Sequence, residues 1–263
     1  MLINTGFEIA LSFPQPTAVV LSLRIHPSRA NSIHGQEQLV VEPPMPVANY
    51  KDSFGNLCDR VFVTSGRLTV RNQALVEDSG QPDPQVVVAP EVPVQDLPHE
   101  VLIYLLASRY CEVDSELTDI AGKLFENTPP GWPRVQAICD FVHKHLQFDY
   151  LKARSNRTAL EAYREQTGVC RDFTHLAITL CRCMNIPARY CTGYLGDIGV
   201  PPSADPMDFS AWFEAYLGGQ WYAFDPRNHI PRIGRILMAR GRDAVDAALT
   251  TSYGESQLES FKV

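Results

Sequence analysis

The spacing of apolar residues changes about one third of the way along the chain. Before residue 90, apolar side chains occur in short runs or alternate with polar ones, as in residues 18–25 and 60–76, a pattern typical of β-strands. The Ser65-Gly66 pair inside the second segment predicts a β-hairpin. We therefore predict a β-rich, sandwich-like N-terminal domain over residues 1–90, which ends in a proline-rich stretch.

From residue 100 the apolar residues follow the period of an α-helix. The pattern predicts helices at residues 101–107, 112–125, 134–146, 158–163 and 168–187. After Pro187 it predicts strands at residues 189–195, 209–217, 220–224, 233–238 and 258–263. Helices followed by strands indicate an α+β fold. We assign residues 91–263 to one core domain with C-terminal strands.

Composition limits the classes of partner. The chain has 263 residues, of which 45% are hydrophobic, and a net charge of −7, so it offers no basic surface for nucleic acid or an anionic membrane. It contains no apolar run of the roughly 18 residues that a membrane span needs, and its start lacks a leader pattern. Seven cysteines without regular spacing favour a reducing compartment. We expect a cytoplasmic protein.

The predicted helix at residues 168–187 carries the first candidate for chemistry. Cys170 lies in its first turn, where free backbone N–H groups and the helix dipole favour a thiolate. A cysteine on an apolar helix is more often a core residue, and we assign Cys181 and Cys183 to that role. Gly168, just before the helix, would let a substrate backbone approach closely.

A second candidate segment lies about forty residues downstream. The Gly218-Gly219 pair predicts a two-residue hairpin turn, which sets Leu217 opposite Gln220 and, further back, Trp212 opposite Asp225. Ser210 then falls diagonally next to Asp225, at a separation of about 7–8 Å. A histidine at position 210 could reach Asp225, but a serine cannot.

The two segments together resemble the transglutaminase-like, papain-type cysteine enzyme superfamily. The matching residues are Gly-Val-Cys-Arg-Asp-Phe at 168–173, Phe-Ser-Ala-Trp-Phe-Glu at 209–214 and Phe-Asp-Pro at 224–226. The segment Tyr-Lys-Asp-Ser-Phe-Gly-Asn at 50–56 also resembles the β-rich N-terminal domain of the bacterial branch. The resemblance implies a papain- and transglutaminase-like core, in which the helix bearing the cysteine packs on an antiparallel sheet.

The resemblance also implies a catalytic triad, one member of which is replaced here. Cys170 matches the family's nucleophile and Asp225 matches the acid that orients the base, whereas the family's histidine falls on Ser210. The implied activity is cleavage of, or amine transfer to, a peptide or amide through a cysteine thioester, with a peptide or protein substrate and no cofactor. We expect Gly168 and Trp212 beside the substrate, with Trp212 also shielding Asp225.

Ser210 leaves several interpretations open. The chain is expected to be an inactive or weakly active form of such an enzyme, by natural divergence or by substitution. The alternative is a non-catalytic module that binds a peptide or protein in the same cleft. His229 is the one nearby histidine that could replace the missing base. Asp243 and Asp246 are interpreted as surface caps, and we expect no metal site.

Overall fold

The first part of the chain forms six long or medium β-strands. A computed structural model describes residues 1–203 and 207–263. Its N-terminal strands are β1 (Leu2–Phe13), β2 (Thr17–Leu21), β3 (Ile33–Glu42), β4 (Ala48–Lys51), β5 (Leu57–Val63) and β6 (Gly66–Glu77). The Ala204–Pro206 part of the segment between Pro187 and the predicted strand at 209 lies outside the described residues.

The second part contains the helices and the remaining strands. Short 3₁₀ helices occur at Pro27–Ser32, Val94–Asp96, His99–Leu105 and Tyr150–Lys152. The α-helices are α1 (Leu117–Phe125), α2 (Trp132–His145), α3 (Ala159–Glu165) and α4 (Cys170–Cys183). The strands are β7 (Gln147–Phe148), β8 (Thr167–Gly168), β9 (Ala188–Tyr194), β10 (Ser210–Leu217), β11 (Gln220–Phe224), β12 (Ile236–Gly241), β13 (Thr250–Ser252) and β14 (Gln257–Lys262). No helix within residues 1–203 and 207–263 is long and apolar enough to cross a membrane.

Two four-stranded antiparallel sheets form the N-terminal sandwich. Their strand orders are β14-β1-β6-β3 and β13-β2-β5-β4. The last two strands of the chain therefore extend these sheets, with Ile9 paired to Phe261 and Leu21 paired to Thr250. The boundary at residue 90 stays a prediction, but strands from beyond it complete both layers of the sandwich.

The predicted hairpin around Gly66 is wrong. β5 pairs with β2 and β4, whereas β6 pairs with β1 and β3. The turn between them connects the two layers, and Gly66 adopts a positive φ of 84° there. The alternating pattern that identified both strands shows which face of each is buried, but it does not show which sheet each strand joins.

The core domain consists of a four-stranded antiparallel sheet, in the order β11-β10-β9-β12, with α4 packed against it. Helices α1, α2 and α3 surround α4 on its other sides. The predicted register of the β10–β11 hairpin is confirmed, since Leu217 pairs with Gln220 and Glu214 with Ala223. Gly218 and Gly219 have φ values of 56° and 87°, the positive values that a type I′ turn requires.

Most of helix α4 is buried. Its polar residues His175, Thr179 and Arg182 are at most 3% exposed, whereas Arg171 in its first turn is half-buried. Arg182 donates hydrogen bonds to the carbonyls of Ala188 and Arg242, so its buried guanidinium is partnered by backbone oxygens. A polar stripe on a helix wheel thus does not identify a solvent-facing side here.

Two buried histidines make the stability of the fold depend on pH. Burial, together with the nearby charges of Arg240 and Arg189, lowers the pKa of His26 from 6.5 to about 4. Burial also holds the pKa of His175 well below 6.5. As pH falls below 6.5 the unfolded chain takes up these protons and the folded chain does not, so stability decreases from pH 6.5 towards pH 4.

We predict that the free energy of unfolding falls in this range by up to about 1.4 kcal/mol per pH unit for each buried histidine. In His26→Asn the amide oxygen can accept the hydrogen bond that His26 Nδ1 accepts from the Ser28 N–H, but it does not titrate. Urea denaturation between pH 4.5 and 8 should show a smaller slope for this variant. His99→Gln, at an exposed histidine, is the control, and an equal slope in all three proteins would contradict the prediction.

Candidate active site

The start of helix α4 is fixed by a buried carboxylate. Asp172 Oδ2 accepts a hydrogen bond from the Val169 N–H at 2.9 Å and pairs with Arg157 at 2.8 Å. The side chains of Asp172 and Arg157 are 0% and 3% exposed, and these buried charges compensate each other, with Arg171 as a second partner of Asp172 and Glu165 as a second partner of Arg157. Because this pair sets where the helix begins, it also sets the position of Cys170.

Gly168 lies directly under this carboxylate. A Cβ at position 168 would come within 2.6 Å of Asp172 Oδ2, closer than side-chain atoms can approach. Gly168 is buried and pairs with Phe148 in the two-stranded sheet of β7 and β8. Gly168 therefore leaves space for the carboxylate that caps helix α4. Its contact with substrate stays a prediction.

Cys170 is half-buried and lies at the junction of two cavities. The first, here called the polar cavity, has a volume of about 240 Å³ and is lined by side chains that include Asp197, Arg227 and Asn228. The second, the apolar cavity, has a volume of about 320 Å³ and is lined largely by aliphatic and aromatic side chains. The thiol is therefore accessible to small molecules from two directions.

The environment of the Cys170 thiol opposes its ionisation. Burial raises the pKa of the thiol to about 11, and the charges of Asp208 and Asp225 act in the same direction. A hydrogen bond from the backbone of Ala211 and the charge of Arg227 lower it in part. At pH 7 roughly one thiol in ten thousand is ionised at such a pKa.

Ser210 lies where the sequence analysis expected the base. It is the first residue of β10 and lines both cavities together with Cys170. Its carbonyl accepts a hydrogen bond from Thr192 Oγ1 at 3.0 Å. The structure thus brings positions 170 and 210 to the same cavities, and the assignment of position 210 to the family's base stays a prediction.

Asp225 follows β11 and its carboxylate is already engaged. Its side chain, 2% exposed, pairs with Arg235 at 3.0 Å. It also accepts hydrogen bonds from the backbone N–H and the side-chain amide of Asn228, at 2.8 and 2.7 Å. A carboxylate has about four lone-pair positions, so these three hydrogen bonds leave one of them.

The two partners of Asp225 differ in how far the sequence could reveal them. Asn228 follows three residues after Asp225, a spacing at which an aspartate commonly accepts a backbone N–H in a turn. The sequence therefore carries a local signal for this contact. Arg235 comes from the segment before β12, and its pairing with Asp225 depends on how that segment crosses the sheet.

His229 is not placed to serve as the base for Cys170. Its Nε2 contacts Asp140 at 2.7 Å, and its ring stacks on His143 with centroids 4.4 Å apart. His229 lines a separate small cavity next to Asp225 that Cys170 does not border. Among the described residues, no histidine lines either cavity at Cys170.

Trp212 is a buried residue that contacts the arginine paired with Asp225. Its side chain is 2% exposed and packs with Cys191 and Leu237, and Arg235 lies over its ring at 5.2 Å. Neither cavity at Cys170 is lined by Trp212. The substrate contact and the shielding of Asp225 stay predictions, and the contact seen here is with the arginine that pairs with Asp225.

Asp243 and Asp246, interpreted above as surface caps, both have hydrogen-bond or ion-pair partners. Asp243 is 1% exposed and accepts hydrogen bonds from the Tyr110 and Val245 N–H groups, so it caps a buried turn rather than a surface one. Asp246 pairs with Arg242. Within the described ranges, no group of three or more His, Cys, Asp or Glu side chains is arranged to hold a metal ion.

Comparison with known proteins identifies the family. The model of the transglutaminase-like superfamily matches residues 118–226, which include Cys170, Ser210 and Asp225. The crystal structure of a candidate cysteine protease from Cytophaga hutchinsonii is 30% identical, with a TM-score of 0.83, and the match covers 99% of this chain and 91% of that one. The chain belongs to the transglutaminase-like superfamily, which confirms the predicted family and fold class.

More distant relatives occur in mycobacteria. An uncharacterized protein of Mycobacterium leprae is 27% identical over 188 residues, which are 69% of this chain and 66% of the relative. An uncharacterized protein of Mycobacterium tuberculosis is 27% identical over 233 residues, 80% of this chain and 73% of the relative. This chain thus spans just under two thirds of the length of the M. leprae protein.

We predict that Gly168→Ala lowers the free energy of unfolding by about 1–3 kcal/mol, because the new Cβ must displace the Asp172 carboxylate. Gly122→Ala is the matched control, since a Cβ there meets no atom within 4 Å and alanine favours the middle of a helix. Urea denaturation of the two variants measures the difference. Equal stability of Gly168→Ala and the unsubstituted protein would rule out this steric account.

We also predict that alkylation of Cys170 by iodoacetamide is slow at neutral pH and rises about tenfold per pH unit from pH 7 to 9.5, since the pKa of the thiol is raised to about 11 and only the thiolate reacts. Peptide mapping should separate Cys170 from Cys183, which is also half-buried. A plateau in rate below pH 8 would show that the thiol is activated after all.

Proposed function

We propose that this protein is a transglutaminase-like cysteine enzyme acting on peptide or amide bonds through a thioester at Cys170, and that Ser210 makes this form weakly active or inactive. The observation that supports the proposal is the location of Cys170. It lies at the N-terminus of a mostly buried helix, at the junction of two cavities and next to the position that carries the base in the family.

The proposed reaction places specific demands on the site. The sulfur of the Cys170 thiolate attacks the carbonyl carbon, the carbon–nitrogen bond breaks, and the departing amine takes up a proton. Water or a second amine then attacks the thioester and releases the acyl group. A histidine usually accepts the thiol proton and passes it to the departing amine, so one missing residue affects both steps.

The substitution at position 210 accounts for the low activity we propose. A serine hydroxyl cannot act as a base at neutral pH, and the loss of one member of such a catalytic unit costs on the order of a thousandfold or more in rate. Asp225, whose role in the family is to orient the histidine, instead pairs with Arg235 and Asn228. We propose that Asp225 keeps a structural role in this chain.

A second candidate function is binding of a peptide or protein without turnover. The raised pKa of the Cys170 thiol and the engaged carboxylate of Asp225 favour it, and both cavities would still accept a ligand. The two functions differ in one measurable respect. An enzyme releases amine from a peptide and loses this turnover in Cys170→Ala, whereas a binding module binds the peptide without turnover both with and without the Cys170 sulfur.

We further propose that the protein acts in the cytoplasm. A nucleophilic Cys170 must stay reduced, and an odd number of cysteines, seven in this chain, suits a reducing compartment. Cell fractionation combined with thiol labelling tests the location.

We predict that Ser210→His raises the rate of iodoacetamide alkylation of Cys170 at pH 7 by tenfold or more and moves its pH dependence to lower pH. The imidazole would use the remaining lone-pair position of Asp225 and form an ion pair with the thiolate. Release of amine from a generic peptide amide, or incorporation of an amine into a glutamine-containing peptide, should become measurable. Cys170→Ala in the same background should abolish it.

Ser210→Asn is the matched control for that experiment. Its amide resembles imidazole in size and hydrogen bonding but cannot take up the thiol proton. The same alkylation rate in Ser210→His and Ser210→Asn would contradict the assignment of position 210 to the base.

A further inference from the structure

The apolar cavity beside Cys170 is built jointly by the N-terminal sandwich and the core domain. Strand β1 contributes Ile9 and Leu11, strand β14 contributes Leu258 and Phe261, and the core contributes Phe209 and Leu249. Its volume of about 320 Å³ is at the lower end of the range of small-ligand sites. Cys170 thus borders a cavity that is lined in part by strands β1 and β14 of the sandwich.

The polar side chains that line the apolar cavity include Asp208 and Thr250 as well as Thr192 and Arg171. Thr192 Oγ1 donates to the Ser210 carbonyl at 3.0 Å. Arg171 donates to the carbonyl of Ser155 at 2.6 Å and to Asp172 at 3.2 Å. Because Thr192 and Arg171 have partners elsewhere and most of the lining is aliphatic or aromatic, the cavity favours a largely apolar occupant.

Two residues at the edge of the apolar cavity remain open to solvent. Leu258 is 57% exposed and Phe261 is 39% exposed, and both lie on β14, at the edge of its sheet. An apolar group entering the cavity would remove surface of these side chains from water, which is favourable. A ligand bound at Cys170 gains this free energy of burial only if it extends as far as the side chains on β14.

The polar cavity, which also borders Cys170, is lined in part by charged and amide side chains. Asp197, Arg227 and Asn228 line it, and the Arg227 guanidinium can only donate hydrogen bonds. An acyl-transfer site must hold two different parts of the substrate, the acyl part and the amine part. The charged and amide side chains of the polar cavity suit a polar part of the substrate, whereas the lining of the apolar cavity suits an apolar acyl part.

We propose that the apolar cavity binds an aromatic or long aliphatic side chain of the substrate, next to the carbonyl that Cys170 attacks. This inference rests on the proposed function and adds the substrate class to it. It also gives the N-terminal sandwich a role, since Ile9, Leu11, Leu258 and Phe261 would determine which acyl groups the site accepts.

Peptidyl chloromethyl ketones test the proposal, because the Cys170 thiolate displaces chloride to form a carbon–sulfur bond without needing an acid or base partner for a departing amine. The rates for N-acetyl-phenylalanyl and N-acetyl-glycyl chloromethyl ketone are compared at pH 9 in a Cys183→Ser background. We expect the phenylalanyl reagent to be favoured by tenfold or more. Phe261→Ala should reduce that ratio at least threefold.

Phe62→Ala is the matched control, because Phe62 is 59% exposed on β5 and does not line the apolar cavity. It should keep the ratio, and melting temperatures of both variants show whether either disturbs the sandwich. The subsite is overturned if the phenylalanyl reagent shows no preference or if Phe62→Ala loses as much of the ratio as Phe261→Ala. In either case, labelling of Cys170 by iodoacetamide would still support Cys170 as the nucleophile. If no reagent labels Cys170, the proposed function fails and the subsite with it.

Discussion

The buried ion pair between Asp172 and Arg157 is the constraint on which the site depends. Its carboxylate caps helix α4 through the Val169 N–H and occupies the space above Gly168. An uncompensated charge at this depth would cost several kcal/mol, and Arg171 and Glu165 add further partners to Asp172 and Arg157. The hydrogen bond from Val169 to Asp172 holds the first turn of α4, in which Cys170 lies.

The geometry of the site and its electrostatics support different conclusions. The N-terminus of α4 and the start of β10 border the same two cavities, an arrangement on which the proposed acyl transfer rests. The charges nearest to the thiol, however, include two carboxylates, and burial adds to their effect on its pKa. Asp225 pairs with Arg235, and among the described residues no histidine lines either cavity at Cys170.

The N-terminal sandwich and the core domain are interleaved rather than joined end to end. Strands β13 and β14, which follow the core in the chain, complete the two sheets of the sandwich. This return of the chain places β14 beside the entrance to the site, so the sandwich contributes directly to the surface around Cys170. It also means that the two parts cannot be separated by a single cut in the chain.

The sequence by itself determined the features that depend on residues close together in the chain. The start of α4 at Cys170, the helical period that follows, and the Gly218-Gly219 turn with its register are encoded within a few residues, and the family motifs lie on these elements. Tertiary structure alone decided which sheet each of β5 and β6 joins, where β14 pairs, why the polar side of α4 is buried, and that Arg235 partners Asp225. Those outcomes join residues far apart in the chain, and they are fixed by the packing of whole layers, which local periodicity and turn chemistry do not specify.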